Sequence, residues 1–185
     1  MMNMIDSVEE HVDFRHPNGG YHTLAFIFRS GPEIAIVAAA YVAGIAPIQL
    51  GTRVALWQAS YESPAGSDPG HVWFGDGRID LDVECLRGIG IGSLLMLPLV
   101  RWAKMRRYDV PVVPINLKAD DAVTPEARDR RNRFYEKLGF VFNYVDADGS
   151  YGEAREMRVS NLITPKFTAS RDWIVRSVSG TGQVF

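Results

Sequence analysis

The residues best suited to chemistry sit in two short segments in the second half of the chain. The first is Arg87-Gly88-Ile89-Gly90-Ile91-Gly92-Ser93, directly before an apolar run. Glycines let backbone amides approach an anion closely, and the start of a helix adds unpaired N–H groups and a partial positive charge. Physically this is a cradle for a diphosphate; the same pattern also serves as a tight packing turn between a strand and a helix. Spacing removes two other phosphate motifs. Ser93 follows Gly92 with no lysine between them, and glycines at 88, 90 and 92 do not give the Gly-x-Gly-x-x-Gly order of a dinucleotide fingerprint. The second segment, Arg133-Phe134-Tyr135-Glu136-Lys137-Leu138-Gly139-Phe140, sets a tyrosine among aromatic residues at the end of a helix.

The elements around these segments must position them. Ile79, Leu81 and Val83 alternate with Asp80, Asp82 and Glu84, which predicts a strand entering the glycine turn. Residues 93–108 then read as a helix. Pro98 inside it removes one backbone hydrogen bond and crowds the carbonyl of Leu94, predicting a kink or a helix in two pieces. Residues 110–117 read as a strand, part of it an edge or splayed because of Pro111 and Pro114. Thr124 as N-cap, Pro125 at the first helical position, Glu126 at the positive end of the dipole and Gly139 as terminator mark the next helix. Residues 140–145 and 153–162 follow as strands joined by a polar hairpin loop, 146–152. Before residue 78 the chain reads as mostly β. Residues 22–28, 33–42 and 54–62 are strands, 16–20 a turn and 63–70 a loop, with at most one short helix near 7–12. Residues 172–178 either add a strand or pack on a partner subunit.

Taken together, the two segments resemble the signatures of the GNAT acetyltransferase superfamily. Arg87-Gly88-Ile89-Gly90-Ile91-Gly92 looks like its acyl-CoA motif, Arg/Gln-x-x-Gly-x-Gly/Ala, and Phe134 to Phe140 looks like its Phe-Tyr-x-x-Leu-Gly-Phe helix end. The resemblance implies an α+β, GNAT-like acyl-CoA N-acyltransferase fold, with a mixed central sheet flanked by helices and, here, a β-rich N-terminal half. It implies a single domain over 1–162, built of an acetyl-CoA-binding half (78–162) and a divergent half (1–77), with 163–185 as a tail.

It also implies roles. The strand of residues 79–85 and the strand of 114–117 would splay apart around the pantetheine arm of acetyl-CoA, with the turn's amides on the diphosphate. Val83, Cys85, Arg87, Gly88, Gly90, Ile91, Gly92, Ser93, Asn116 and Arg131 are thereby the candidate contacts to acetyl-CoA. Tyr135 matches the tyrosine that protonates the departing thiolate, and a phenol with an ordinary pKa of about 10 carries its proton at neutral pH. An amine acceptor must lose a proton before it attacks. Glu84 is the first candidate base and Asp82 the second, with a water chain as a third route. Asp80, Asp82 and Glu84 share one strand face and read equally well as solvated surface. Two departures stand out. Arg128 and Arg131 occupy positions where the family commonly has Asn and Ala, and residues 1–77 show no sign of the two helices that usually shape the acceptor pocket.

Composition bounds the function further. With 46% hydrophobic and 23% charged residues the chain reads as globular, and a net charge of -2 gives no reason to expect nucleic acid or an anionic membrane as partner. Cys85 is the only cysteine, which precludes an internal disulfide and suits a cytoplasmic location; it also reads as a core residue. His11, His16, His22 and His71 lack metal-ligand spacing, so no metal is expected. The apolar stretch 34–46 is shorter than the roughly 20 residues a spanning helix needs, and the acidic N-terminus lacks a signal-peptide order. Acids dominate before residue 78, whereas Arg and Lys dominate 101–137. That asymmetry favours a cationic acceptor, a small-molecule or protein amine, beside an anionic cofactor. The reading is an N-acetyltransferase using acetyl-CoA, and the alternative is a catalytically degenerate CoA-binding sensor or assembly module. A toxin that acylates charged tRNA is disfavoured by the acidic first half. A homodimer remains open.

Overall fold

The structure, a computed structural model, describes residues 6–75, 86–121, 123–166 and 173–177. Its first half is a meander of long antiparallel strands, β1 (Asp6–Arg15), β2 (Tyr21–Ser30), β3 (Ile34–Gly44) and β4 (Arg53–Glu62), followed by the short β5 (His71–Trp73). Then come α1 (Ile91–Lys104), β6 (Pro111–Val112), β7 (Asn116–Leu117), α2 (Pro125–Glu136), β8 (Phe142–Tyr144), β9 (Gly152–Ala154), β10 (Met157–Arg158) and β11 (Ile174–Ser177). Eight strands form one mixed sheet in the order β10-β6-β5-β4-β3-β2-β1-β11, and β7-β9-β8 form a second. Among the described residues only β5 and β6 run parallel, meeting at Val72↔Val112. The fold is α+β with a large mixed sheet, and its only α-helices among the described residues are α1 and α2.

The meander follows from alternation. On β3, Ala35, Val37, Ala39 and Tyr41 are buried, while their neighbours are half-buried on the other face. Residues 7–12, where the sequence allows at most one short helix, are the middle of β1. Val8 and Val12 have helical spacing, but Val12 and Phe14 continue a two-residue period into the core, and β1 pairs with β2 from Asp6↔Ser30 to Arg15↔Tyr21. A continuous ladder beside an alternating face outweighs local helix preference.

α1 is buried on nearly every side and packs on β2, β3 and β4. It runs as one element through Pro98, not in two pieces. Its far end is fixed: the Trp102 indole donates to the Gly31 carbonyl at 2.9 Å, and Arg106 donates to the Pro32 carbonyl at 2.8 Å. These bonds hold the helix to the β2–β3 turn despite the hydrogen bond lost at proline. The expected strand at 110–117 is two pieces in two different sheets, because Pro114 has no N–H to continue a ladder. The expected strand at 153–162 likewise breaks into β9, β10 and a 3-10 turn, Val159–Asn161. One core joins both halves of the chain, from Val12 and Phe14 through Trp57 and Leu95 to Phe140 and Leu162.

β11 lies antiparallel to β1, with Arg15 opposite Ile174. Beside it Trp173 stacks on His22 with ring centroids 5.5 Å apart and meets His16 edge-on at 5.2 Å. His22 is only 2% exposed, and burial holds its pKa below the ordinary value of 6.5. A group whose folded pKa is depressed in this way must stay neutral to remain buried. Its contribution is therefore complete above about pH 6.5 and is lost as pH falls toward the folded value.

Two outcomes follow for stability. Trp102→Ala should lower unfolding free energy by about 3–5 kcal/mol in urea titrations, from lost packing and the orphaned Gly31 carbonyl; a loss under about 1 kcal/mol would contradict this placement. His22→Gln should flatten the fall in urea midpoint between pH 7.5 and pH 5, whereas an unchanged slope would show that other groups cause it.

Candidate functional site

The structure brings the two sequence segments together. Gly90 is the N-cap of α1, in the left-handed region at φ 100°, and offers no side chain to cap the helix. Gly88 also has positive φ, 81°, and a Cβ there would meet nothing within 4 Å. None of the described backbone hydrogen bonds uses the N–H groups of Gly88, Gly90, Ile91 or Gly92, while the N–H of Ser93 turns back to the Gly90 carbonyl at 3.1 Å. No acid stands in the first turn of α1, and Arg101 and Lys104 lie in its last, so the positive end of the helix dipole is not neutralised locally. Arg87 is exposed beside this turn, Ile91 is buried and Ser93 is half-buried.

Gly92 explains how α2 reaches this place. A Cβ at Gly92 would lie 3.2 Å from the Phe134 ring, so the start of α1 and the end of α2 approach as closely as glycine allows. Phe134 in turn meets Trp57 of β4 edge-on at 5.2 Å. The start of α2 is set by Thr124, whose side chain accepts from the Ala127 N–H at 3.2 Å, with Pro125 at the first position, as its sequence predicts. The helix is then locked to the loop between β8 and β9. Asn132 donates to the Gly149 carbonyl at 3.0 Å, and Arg128 pairs with Asp148 at 3.1 Å. Tyr144 donates to Glu136 at 2.9 Å, and burial together with that carboxylate pushes its phenol up to about 12.

Arg131 belongs to the same lock. Its guanidinium donates to the carbonyls of Lys118, Gly149 and Ser150, and its Nε donates to the Asn132 side chain. Its donors thus go to carbonyls of the loops around α2. Asn116 is exposed on β7, opposite Glu153, and is not part of the cleft described next. Glu84, Val83 and Cys85, with Asp80 and Asp82, lie outside the described residues.

Past Val72↔Val112, β5 and β6 part, and a cleft opens between them. It is lined by Trp57, Gln58, Phe74, Gly75, Met96, Ile115 and Tyr135. One wall is the continuation of β5 through Phe74 and Gly75, and the other is Ile115, beyond Pro114. The splay therefore involves residues directly after His71–Trp73, a strand too short to show a period in the sequence. Tyr135 is half-buried in the cleft, its ring set among Phe134 at 5.1 Å, Phe140 at 6.0 Å and Phe142 at 6.2 Å. Met96 lies five residues beyond Ile91, about 7.5 Å along the helix axis. The glycine-rich helix start and the cleft are thus adjacent. Trp57, Phe74, Met96 and Ile115 escape a motif-based reading because each looks like an ordinary core residue; they border a gap only because of where β5 stops.

No protein-family model, curated protein or solved structure matches this chain.

The contact between α1 and α2 is testable without any ligand. Gly92→Val adds three carbons beside the Phe134 ring, and should destabilise the protein by about 1–3 kcal/mol in denaturant titrations. Stability equal to that of the parent would mean that Phe134 does not seal against the helix start.

Proposed function

We propose that this chain is an acetyl-CoA-dependent N-acyltransferase of GNAT-like fold, transferring an acetyl group to an amine. The observation that carries the reading is the convergence of the two signatures. Gly92 of the glycine turn packs on Phe134 of the second motif, and Met96 and Tyr135 border one cleft between two parting parallel strands. A glycine-rich helix start suits a diphosphate, and an adjacent narrow cleft of mixed lining suits a thin arm that carries amides. Open space at Gly88 leaves the backbone accessible to a phosphate.

Acetyl-CoA supplies an acyl group already activated as a thioester. The protein's part is to hold, orient and move protons. The turn from Gly88 to Gly92 binds the diphosphate through main-chain N–H groups, with Arg87 at its rim. Phe74, Gly75 and Ile115 flank the arm and exclude water. Tyr135, on the cleft wall, donates its phenolic proton as the thiolate leaves. Glu84 takes the proton from the amine. Orientation of the amine against the thioester supplies much of the rate. Arg131 is not proposed as a cofactor contact, since its donors serve neighbouring carbonyls.

The excess of acids before residue 78 supports a cationic amine as acceptor. A single cysteine supports a cytoplasmic setting, and no helix among the described residues is long and apolar enough to cross a membrane. One observation favours a second reading, a CoA-binding sensor without turnover. Residues 6–75 are strands and turns, so the helices that would shape an acceptor pocket are missing from them.

Acetyl-CoA should raise the melting temperature, since a ligand that binds only the folded state stabilises it. Acetyl-CoA with a panel of amines should then release free thiol. Tyr135→Phe should cut turnover about 100-fold and leave acetyl-CoA affinity within about twofold. A melting shift without thiol release supports the sensor, and neither signal would end the CoA assignment.

A further inference from the structure

Alternation gives the meander two faces, and α1 covers one of them. Val37 and Trp57, paired across β3 and β4, belong to the core that α1 completes, and Phe134 of α2 meets Trp57 on that side. The opposite face carries Ile27, Ala38 and Leu56 in one row across β2, β3 and β4. Ala25 and Ala40 pair in the next row, and Ile36 stands in the row before. All six are apolar, yet among the described residues none belongs to the core or packs against it. All but Ala25 are half-buried. An antiparallel sheet that faces water on one side normally alternates apolar and polar residues, and these strands are apolar on both sides. Polar residues begin only at the edge of this face, with Glu9 and Asp13 on β1 and Arg29 at the end of β2.

We propose that this face is the interface of a homodimer in which two copies pack sheet against sheet. Three features select a second copy of the chain. Alanines at 25, 38 and 40 keep the centre flat, which suits another sheet at the ordinary spacing of about 10 Å. The rim carries both signs of charge, as a two-fold contact requires, because one patch must complement itself. An axis crossing β3 at Ala38, perpendicular to the strands, sets Ile36 over the partner subunit's Ala40. The same axis brings Arg29 between the partner subunit's Glu9 and the partner subunit's Asp13. The third feature is size. β1 to β4 are each 10 or 11 residues long. At about 4.8 Å between strands and about 3.3 Å per residue they present roughly 600 Å2. Two such faces bury about 1,200 Å2, the lower end of the range for specific interfaces. Gln58, paired with Ile36 and also lining the cleft, places the edge of this interface beside the candidate site. The dimer does not depend on the acyl-CoA reading.

Sedimentation equilibrium of the full chain tests this. An interface of this size predicts micromolar association, so the mass should rise from one chain to two as concentration passes through that range. Ala38→Arg sets like charges against each other on the axis, and should leave single chains with the parent's far-ultraviolet circular dichroism. If that variant does not fold, Arg29→Glu at the exposed rim takes its place. It should weaken association about tenfold, and adding Glu9→Arg should restore most of the loss. A parent that keeps the mass of one chain at hundreds of micromolar overturns the proposal. A dimer of unchanged affinity in the folded variants overturns it too, since the interface would then lie on another face.

Discussion

The site depends on two parallel strands that touch at one register, after which the chain beyond the second takes a new partner. β5 and β6 meet at Val72↔Val112, and the Val113 N–H still reaches the Val72 carbonyl at 2.9 Å. Two residues later the Ile115 carbonyl instead accepts from the Ala154 N–H of β9, also at 2.9 Å. Pro114, between them, has no N–H with which to continue the first ladder. On the other side, Gly75 lies under the Trp73 indole so closely that a Cβ would come within 2.4 Å of it. Each strand is drawn off by local chemistry, and the cleft is what remains between them.

The two helices meet that gap for separable reasons. α1 is held by its apolar surface and by two hydrogen bonds to the β2–β3 turn, which leaves its glycine-rich start uncapped. α2 is polar and contributes little burial of its own, so side-chain bonds to backbone carbonyls fix it instead. Arg131 and Asn132 hold the loop near Gly149 on one side, and Phe134 presses on Gly92 and Trp57 on the other. Tyr135 is positioned between these anchors.

Much of this was legible in the residues, and the losses have physical causes. The cap and stop of α2 and the meander of long strands follow from local chemistry, and each is present; the single strand expected at 110–117 is instead two pieces, because the sheet that claims the second piece is set by distant residues. At 7–12 a short helix is allowed by sequence because Val8 and Val12 fit a helical period as well as a strand's, and only the β2 ladder decides between them. A helix in two pieces at Pro98 is not what forms, since the anchors at Trp102 and Arg106 are long-range contacts that local sequence does not show. For Arg131, a candidate cofactor contact, sequence shows the charge but not the carbonyls that accept its donors in the fold. Trp57 carries no local signal, since its place beside the cleft depends on three-dimensional surroundings.

A crystal structure of the protein with acetyl-CoA tests the central claim most directly. The expected result has diphosphate oxygens about 3 Å from main-chain N–H groups between Gly88 and Gly92, with the pantetheine arm running between Gly75 and Ile115. A bound cofactor lying elsewhere, with the glycine turn bare and the cleft closed, would contradict it.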